Sequence, residues 1–298
     1  PTLGDRPLNQ ITPAEIQKLY AHLKKRGRIR KHKKYGHQLS DSMVHCIHTL
    51  LYGAMGAAAQ LRLIPRNPVA DVTAPKQKPP PKQILNDEQL DTFMAAIQAD
   101  DIWRDFFYTE LTTGLRLGEI CGLRWEDFDA EHGVLNIQRT VHVEKGGVLT
   151  TGDTKTYAGT RKIVLPASTV QCLRERKEAA LTDWIFPNPL KPELPVNPRA
   201  AYSRLKVLLK DTGLPSIRFH DLRHTFSTHA LSSGVDAKTL SGILGHSRAS
   251  FTLDTYTHVT GDMQKRASEV VGGFLTELLG EELKPWQSAE NGAAAASI

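Results

Sequence analysis

Two arginines, Arg116 and Arg223, two histidines, His220 and His246, and one tyrosine, Tyr256, are the candidates for chemistry in four short motifs: Thr113-Gly114-Leu115-Arg116-Leu117-Gly118-Glu119, His220-Asp221-Leu222-Arg223-His224, Leu244-Gly245-His246-Ser247 and Thr255-Tyr256-Thr257-His258. Together they supply what a phosphodiester needs if a protein hydroxyl is to attack it without a metal. Such an attack crowds the phosphorus and adds negative charge to its non-bridging oxygens. Arginine meets that charge because its guanidinium stays protonated and presents a donor fork matched to two phosphate oxygens. Arg116 and Arg223 are the candidates for this task. Tyr256 is the candidate nucleophile, and with an unperturbed pKa of about 10 it needs a nearby cation or base to react near neutrality.

Taken singly, each residue also has a plainer reading. Arg116 follows the turn-forming Thr113-Gly114 and can direct an anion toward a helix start, or it can be an ordinary helix-surface arginine. Glu119, one turn on, either holds Arg116 in place or makes a routine intrahelical pair. His220 and Arg223 are three apart, so a helix places both on one face, able to address one phosphate. His224 reads as a packed, hydrogen-bonded core residue. A His-x-x-x-His pair can bind zinc, but no metalloprotease glutamate lies between the two and no third ligand is evident, so no metal site is expected. His246, after the helix-ending Leu244-Gly245, reads alone as a turn histidine, and Tyr256 alone as a half-buried aromatic.

The chain around these motifs has 298 residues, 40% hydrophobic and 23% charged, which is the composition of a globular protein with room for two domains. Its net charge of +6 and pI of 9.2 favour a polyanionic partner. Cys46, Cys121 and Cys172 are scattered, odd in number and without a C-x-x-C pair, so neither a disulfide framework nor a zinc finger is suggested, and a reducing compartment fits. The most apolar stretch, Leu50 to Ala59, is too short to span a bilayer and no signal peptide opens the chain, so a cytoplasmic protein is expected. The first residue is Pro1, and an N-terminal extension is expected in the natural protein. The Ala-rich end, Asn291 to Ile298, reads as a low-complexity tail.

The positioning elements follow from local signals. Thr12-Pro13-Ala14-Glu15 is a helix start, and the apolar spacing of Ile16, Leu19, Tyr20 and Leu23 carries that helix over 13–25. Lys24 to Lys34 holds eight lysines and arginines in eleven residues and reads as a solvated loop. Ser40-Asp41-Ser42 can cap a second helix reaching about Leu61, followed by a turn and a new start at Asn67-Pro68. Between Ala74 and Lys82, Pro75, Pro79, Pro80 and Pro81 resist helix and form a semi-rigid spacer. Helices are then predicted over 86–99 and 103–112, with Gly114 interrupting before a helix that has Arg116 in its first turn. Val134 to Val143 alternates as a strand, Gly146-Gly147 supplies a turn, and Arg161 to Leu165 forms a further strand of a small antiparallel sheet. Helices are predicted over 167–180, 198–211, 220–233, 236–244 and 250–257, and an amphipathic segment over 262–279. Asp127, Asp129 and Glu131 form the nearest thing to a carboxylate cluster and read as a strand-entry turn.

In order and spacing these motifs resemble the tyrosine recombinase (phage integrase) family, with Arg116, His220, Arg223, His246 and Tyr256 falling on its Arg, His-x-x-Arg, His and Tyr positions. The run Phe251 to Tyr256 resembles the conjugative-transposon branch, here without its N-terminal arm-binding domain. The resemblance also picks out Lys155 as the family's hairpin lysine and general acid, with Lys145 and Lys162 as rivals for that position. The fold it implies is mainly α: a small all-helical core-binding domain over 1–74, a linker over 75–84, and a mixed α+β, mostly helical catalytic domain over 85–298 with a small antiparallel sheet and a tail from about 262.

The resemblance further implies a mechanism. Tyr256 attacks the scissile phosphate and forms a 3′-phosphotyrosyl intermediate, Lys155 protonates the leaving 5′ oxygen, Arg116, Arg223 and His246 steady the charged transition state, and His220 accepts the tyrosine proton. Strand exchange then proceeds through a Holliday junction for integration and excision of a mobile element, with no metal, no ATP and no other cofactor. The implied partners are double-stranded DNA at element ends and target, three further copies of the chain in a tetramer, with the apolar stripe of the tail either docking on a neighbour or packing on its own domain, and accessory excision or bending proteins, in the bacterial nucleoid. Lys24, Lys25, Arg26, Arg28, Arg30, Lys31, Lys33, Lys34, Lys76, Lys78 and Lys82 are candidate phosphate contacts, or simply solvated charges. Rivals are a type IB topoisomerase-like enzyme, against which the short first module argues, a catalytically silent DNA-binding regulator, and a metal-dependent nuclease, which needs clustered carboxylates.

Overall fold

The computed structural model describes residues 3–76, 83–153, 159–245 and 269. Contacts divide the chain into two compact units, Pro1–Pro81 and Lys82–Ile298.

The first unit is built on two helices, α1 (Pro13–Arg26) and α2 (Asp41–Gln60). The predicted start of α1 forms as a reciprocal cap: Glu15 N–H donates to Thr12 Oγ1 at 3.4 Å, and Thr12 N–H donates to the Glu15 carboxylate at 3.1 Å. Ser40 caps α2 by accepting from Met43 N–H at 3.3 Å. Ile16 and Tyr20 of α1 and Val44, Met55 and Ala58 of α2 are buried in one core with Ile64 and Val69. One expectation is corrected here. Lys24, Lys25 and Arg26 are not loop residues but the last turn of α1, where three cations complement the partial negative charge of a helix C-terminus. Arg28 to Lys34 do lie in a loop, closed by a bridge between His32 and Gly36 and by Arg28 Nε donating to the Gln38 carbonyl at 2.7 Å. Lys76 is exposed, while Lys78 and Lys82 lie outside the described residues.

The second unit opens with α3 (Asp87–Gln98), α4 (Arg104–Thr113) and the short α5 (Leu117–Cys121). Strands β1 (Phe128–Asp129), β2 (Val134–Ile137), β3 (Arg139–Val143), β4 (Leu149–Asp153) and β5 (Arg161–Val164) follow. Then come α6 (Ala167–Glu178), the hairpin strands β6 (Pro187–Asn188) and β7 (Lys191–Pro195), α7 (Pro198–Asp211), α8 (Phe219–Ser232) and α9 (Ala237–Leu244). The predicted helix over 250–257 and the amphipathic segment, apart from residue 269, lie outside the described residues.

Where a single strand over 134–143 and one sheet were expected, that stretch forms two strands, β2 and β3, and the described residues hold three antiparallel sheets. β2 sits between β1 and β5, with Leu135 opposite Ile163, while β3 pairs β4 across the expected glycine turn, with Val141 opposite Thr151. The break falls at Gln138, whose amide donates to Asp127 Oδ1 at 3.0 Å while Arg139 beside it pairs with Asp127 and Glu126. A change of partner strand leaves the apolar alternation intact, so the pattern could not show it. The third sheet, β6 with β7, went unread because Pro187, Pro192 and Pro195 argue against a strand; an edge hairpin tolerates them.

The core lies between α4, α8 and the sheets. Phe106 contacts Phe107 and Phe186 edge to face at centroid distances of 5.4 and 5.2 Å, and Phe93, Leu115, Ile120, Leu205 and Leu222 are fully buried around them. Each such side chain contributes on the order of 2 kcal/mol by leaving water. Their packing sets α4 against α8, and this brings the two arginine motifs together.

Candidate active site

α4 ends at Gly114, whose φ of 60° is the left-handed conformation that suits glycine and whose N–H closes the helix on the Glu110 carbonyl at 2.8 Å. An added Cβ there would run into the Phe226 ring of α8. The turn sends Leu115 into the core and leaves Arg116 as the N-cap of α5 rather than inside its first turn.

Arg116 is held by Glu119 at both ends. Its backbone N–H donates to Glu119 Oε2 at 3.0 Å and its Nη1 to Oε1 at 2.6 Å. The same carboxylate receives Arg161, the first residue of β5, through Nη2 at 2.8 Å and Nη1 at 3.2 Å. Glu119 is only 3% exposed. Burial by itself raises its pKa, but the Arg161 hydrogen bonds and charge, followed by those of Arg116, outweigh it and hold the carboxyl below its ordinary value.

α8 begins at Arg218, which Asp221 grips through the backbone N–H at 2.8 Å and the guanidinium at 2.9 Å, fixing the first turn. His220 and Arg223 leave this helix differently. His220 is exposed, whereas Arg223 is 1% exposed and donates from Nη1 to the Gly114 carbonyl at 2.8 Å and from Nη2 to the Leu244 carbonyl at 2.6 Å. Loss of hydration, then the charge of Arg116, pull the Arg223 pKa down to about 10, so it remains a cation at neutrality. Although His220 is exposed, the protein packed around its ring and then the Arg223 charge lower its pKa. His224 is buried as expected and meets His220 edge to face at 4.6 Å.

α9 supplies the other half of the site. Asp236 caps its start by accepting from Lys238 and Thr239 N–H groups at 3.0 and 2.9 Å, and Gly245, with φ of 65°, ends it. Its last carbonyls lack helical partners and carry the negative end of the helix dipole. Three guanidinium groups meet them in succession: Arg161 Nε on Ile243 at 2.6 Å, Arg223 Nη2 on Leu244 at 2.6 Å and Arg116 Nη2 on Gly245 at 3.0 Å.

The structure thus gathers Arg116, Glu119, His220 and Arg223, which the sequence had singled out, and adds Arg161, which it had not. Arg161 stood in Thr160-Arg161-Lys162-Ile163 as a strand residue, and its only signal was a charge at the start of an apolar alternation. Lys155, His246 and Tyr256 lie outside the described residues. Asp127, Asp129 and Glu131 do not form a carboxylate site: Asp127 pairs with Arg139, and Asp129 accepts from the backbone of Glu131 and His132 at 3.1 Å each. Among the described residues no three His, Cys, Asp or Glu side chains are grouped as metal ligands, and no helix is long and apolar enough to cross a membrane.

Residues 83–262 match the phage integrase family, and the chain belongs to it. It is similar to a tyrosine recombinase XerC-like protein of Caldanaerobacter subterraneus subsp. tengcongensis, 30% identical over 210 residues that cover 63% of this chain and 54% of that protein. It is also similar to the ICEBs1 integrase of Bacillus subtilis, 26% identical over 282 residues, 90% of this chain and 72% of the relative. The chain therefore spans about half the length of the first relative and nearly three quarters of the second. Its fold is that of the Tn1549 transposon integrase, solved in complex with a circular intermediate DNA, at a TM-score of 0.75 and 24% identity over 91% of this chain and 89% of the other.

Proposed function

We propose that this chain is a site-specific DNA recombinase of the mobile-element integrase type, cutting and rejoining strands through a 3′-phosphotyrosyl intermediate. The observation that carries the reading is the convergence of Arg116 and Arg223 on adjacent carbonyls at the end of α9, with Glu119 behind them and His220 beside them. Two guanidinium groups fixed this closely, one of them still 41% exposed, suit the crowded phosphorus of a phosphodiester under attack.

In this reading the Tyr256 Oη attacks phosphorus and its proton passes to His220. The bond from phosphorus to the 5′ oxygen breaks, and Lys155 protonates that oxygen. Arg116, Arg223 and His246 balance the charge gained in between. A 5′ hydroxyl from a second duplex then attacks the phosphotyrosine, and the tyrosine leaves with its proton restored. Bond energy is conserved across the two steps, so no ATP is consumed, and these side chains supply the acid, base and charge without a cofactor. Exchange between two duplexes involves four strands and hence four protomers. The basic residues of the first unit from Lys24 to Lys34, exposed except for the half-buried Arg28, and the exposed Lys76 are proposed phosphate contacts, and the protein is proposed to act in the cytoplasm on double-stranded DNA at element ends.

The test is incubation with nicked suicide duplexes from a candidate element end in excess chelator, scoring a detergent-stable protein–DNA adduct. An adduct for wild type that disappears in Tyr256→Phe is the expected result. An adduct that persists in the variant misplaces the nucleophile, and binding without any adduct favours a DNA-binding regulator.

A further inference from the structure

One side chain that ties three elements of this site together, Arg161, belongs to none of the motifs that announce it. Arg161 is 7% exposed at its side chain, against 41% for Arg116, and all three of its guanidinium nitrogens already donate to protein oxygens, which places it to support the site rather than to contact a phosphate. Its guanidinium instead works in three directions. It donates twice to the buried Glu119 carboxylate, once to the Gly159 carbonyl at the root of its own strand at 3.0 Å, and once to the Ile243 carbonyl of α9 at 2.6 Å. β5, α5 and the end of α9 are therefore joined through one residue.

Glu119 has two oxygens, and Arg116 and Arg161 share both of them. Without Arg161 a buried carboxylate keeps a single cationic partner and draws Arg116 wholly onto itself, while the end of α9 loses its tie to β5. Arg116 and Arg223 rest on that same end, at the two carbonyls that follow. We infer that Arg161 is a positioning residue of strand cleavage, which holds α9 and Glu119 so that Arg116 and Arg223 stand side by side. This rests on the recombinase reading above. The role demands arginine, since a lysine ammonium is a point donor and cannot span a carboxylate and two carbonyls in fixed directions.

The experiment is single-turnover cleavage of a suicide duplex at saturating DNA by the full chain, with DNA affinity and thermal unfolding measured alongside. Arg161→Gln is expected to lower the cleavage rate on the order of a hundredfold, the cost of a small misplacement of a reacting group, and Arg161→Lys to recover only part of it, with DNA affinity unchanged. Placed in an Arg116→Lys background, Arg161→Gln is expected to add less than its separate effect, because both act through Glu119. A wild-type rate in Arg161→Gln, a loss confined to DNA affinity, or full additivity overturns the inference. If Arg161→Gln does not fold, Arg161→Gln/Glu119→Gln removes the buried charge as well, and its crystal structure beside that of Glu119→Gln decides: guanidinium groups placed alike on Leu244 and Gly245 in both overturn it, groups displaced further in the double variant support it. Wild type that binds DNA and forms no adduct defeats the recombinase reading, while those structures still decide the placement of the arginines.

Discussion

Arg223 and Leu244 are joined by a 2.6 Å hydrogen bond that ties the inner face of α8 to the last turn of α9. The Gly114 carbonyl takes the other Nη of the same guanidinium, so one buried side chain closes two helix ends at once. Arg223→Lys keeps the charge but cannot reach both carbonyls in their fixed directions, and a buried carbonyl left unpaired costs about 1–3 kcal/mol. The variant is expected to unfold at lower temperature and to cleave more slowly. Calorimetry and single-turnover cleavage measure the two effects, and a variant with unchanged melting would show that these bonds add nothing to stability.

Glu119 answers to acid. Its carboxyl is held below the ordinary value in the fold, so its contribution is fully present above the pH at which the unfolded chain titrates and is lost as pH falls through the folded value. Glu119→Gln is expected to cost up to about 3 kcal/mol at pH 7, the low end for a broken buried pair because the amide oxygen still accepts one bond. The difference from wild type should shrink toward acid. Urea unfolding at neutral and acidic pH tests this, and a gap that does not change with pH would exclude the ionic account.

Glu110 has the opposite sign. It lies wholly buried on α4, and neither carboxyl oxygen has a hydrogen-bond partner. Burial pushes its pKa well up, against the charge of Arg223. Stability that depends on its proton is greatest below the unfolded value and is lost as pH rises toward the folded one. Glu110→Leu is therefore expected to stabilise the protein at pH 7 by about 1–3 kcal/mol, with a smaller gain in acid. A destabilised Glu110→Leu at neutrality would mean that the carboxyl has a role beyond its burial.

His220 should shape the pH profile of cleavage. With its pKa lowered by the protein around the ring and then by Arg223, the imidazole stays neutral at lower pH than an ordinary histidine. If it takes the tyrosine proton, the rate should hold through the usual imidazole range and fall only below it. His220→Gln is expected to lose roughly a hundredfold or more and to flatten that acid limb. An acid limb that survives the substitution assigns it to another group.

Much of this could be read from short stretches of sequence, because caps, turns and helical periodicity act over a few residues. The helix predicted over 198–211 is α7 residue for residue, and the boxes at Thr12 and the glycine ends at Gly114 and Gly245 fall where local signals placed them. Arg116, His220 and Arg223 were legible as a set because their motifs carry residue types suited to one phosphate. Strand partners were not legible, since β2 and β3 share one alternation and differ only in what lies across from them.

By itself, then, the sequence determined the helices, their caps and the identity of the motif residues, all of which depend on near neighbours. Tertiary structure decided which of two face-sharing residues is buried, admitted Arg161 to the site, and set three arginines on three successive carbonyls of α9. Those bonds join residues 82, 21 and 129 positions apart. No local rule specifies such a meeting; it follows from packing α4 on α8 over a shared aromatic core, and from the need of a buried cation for both a carboxylate and the unpaired end of a helix.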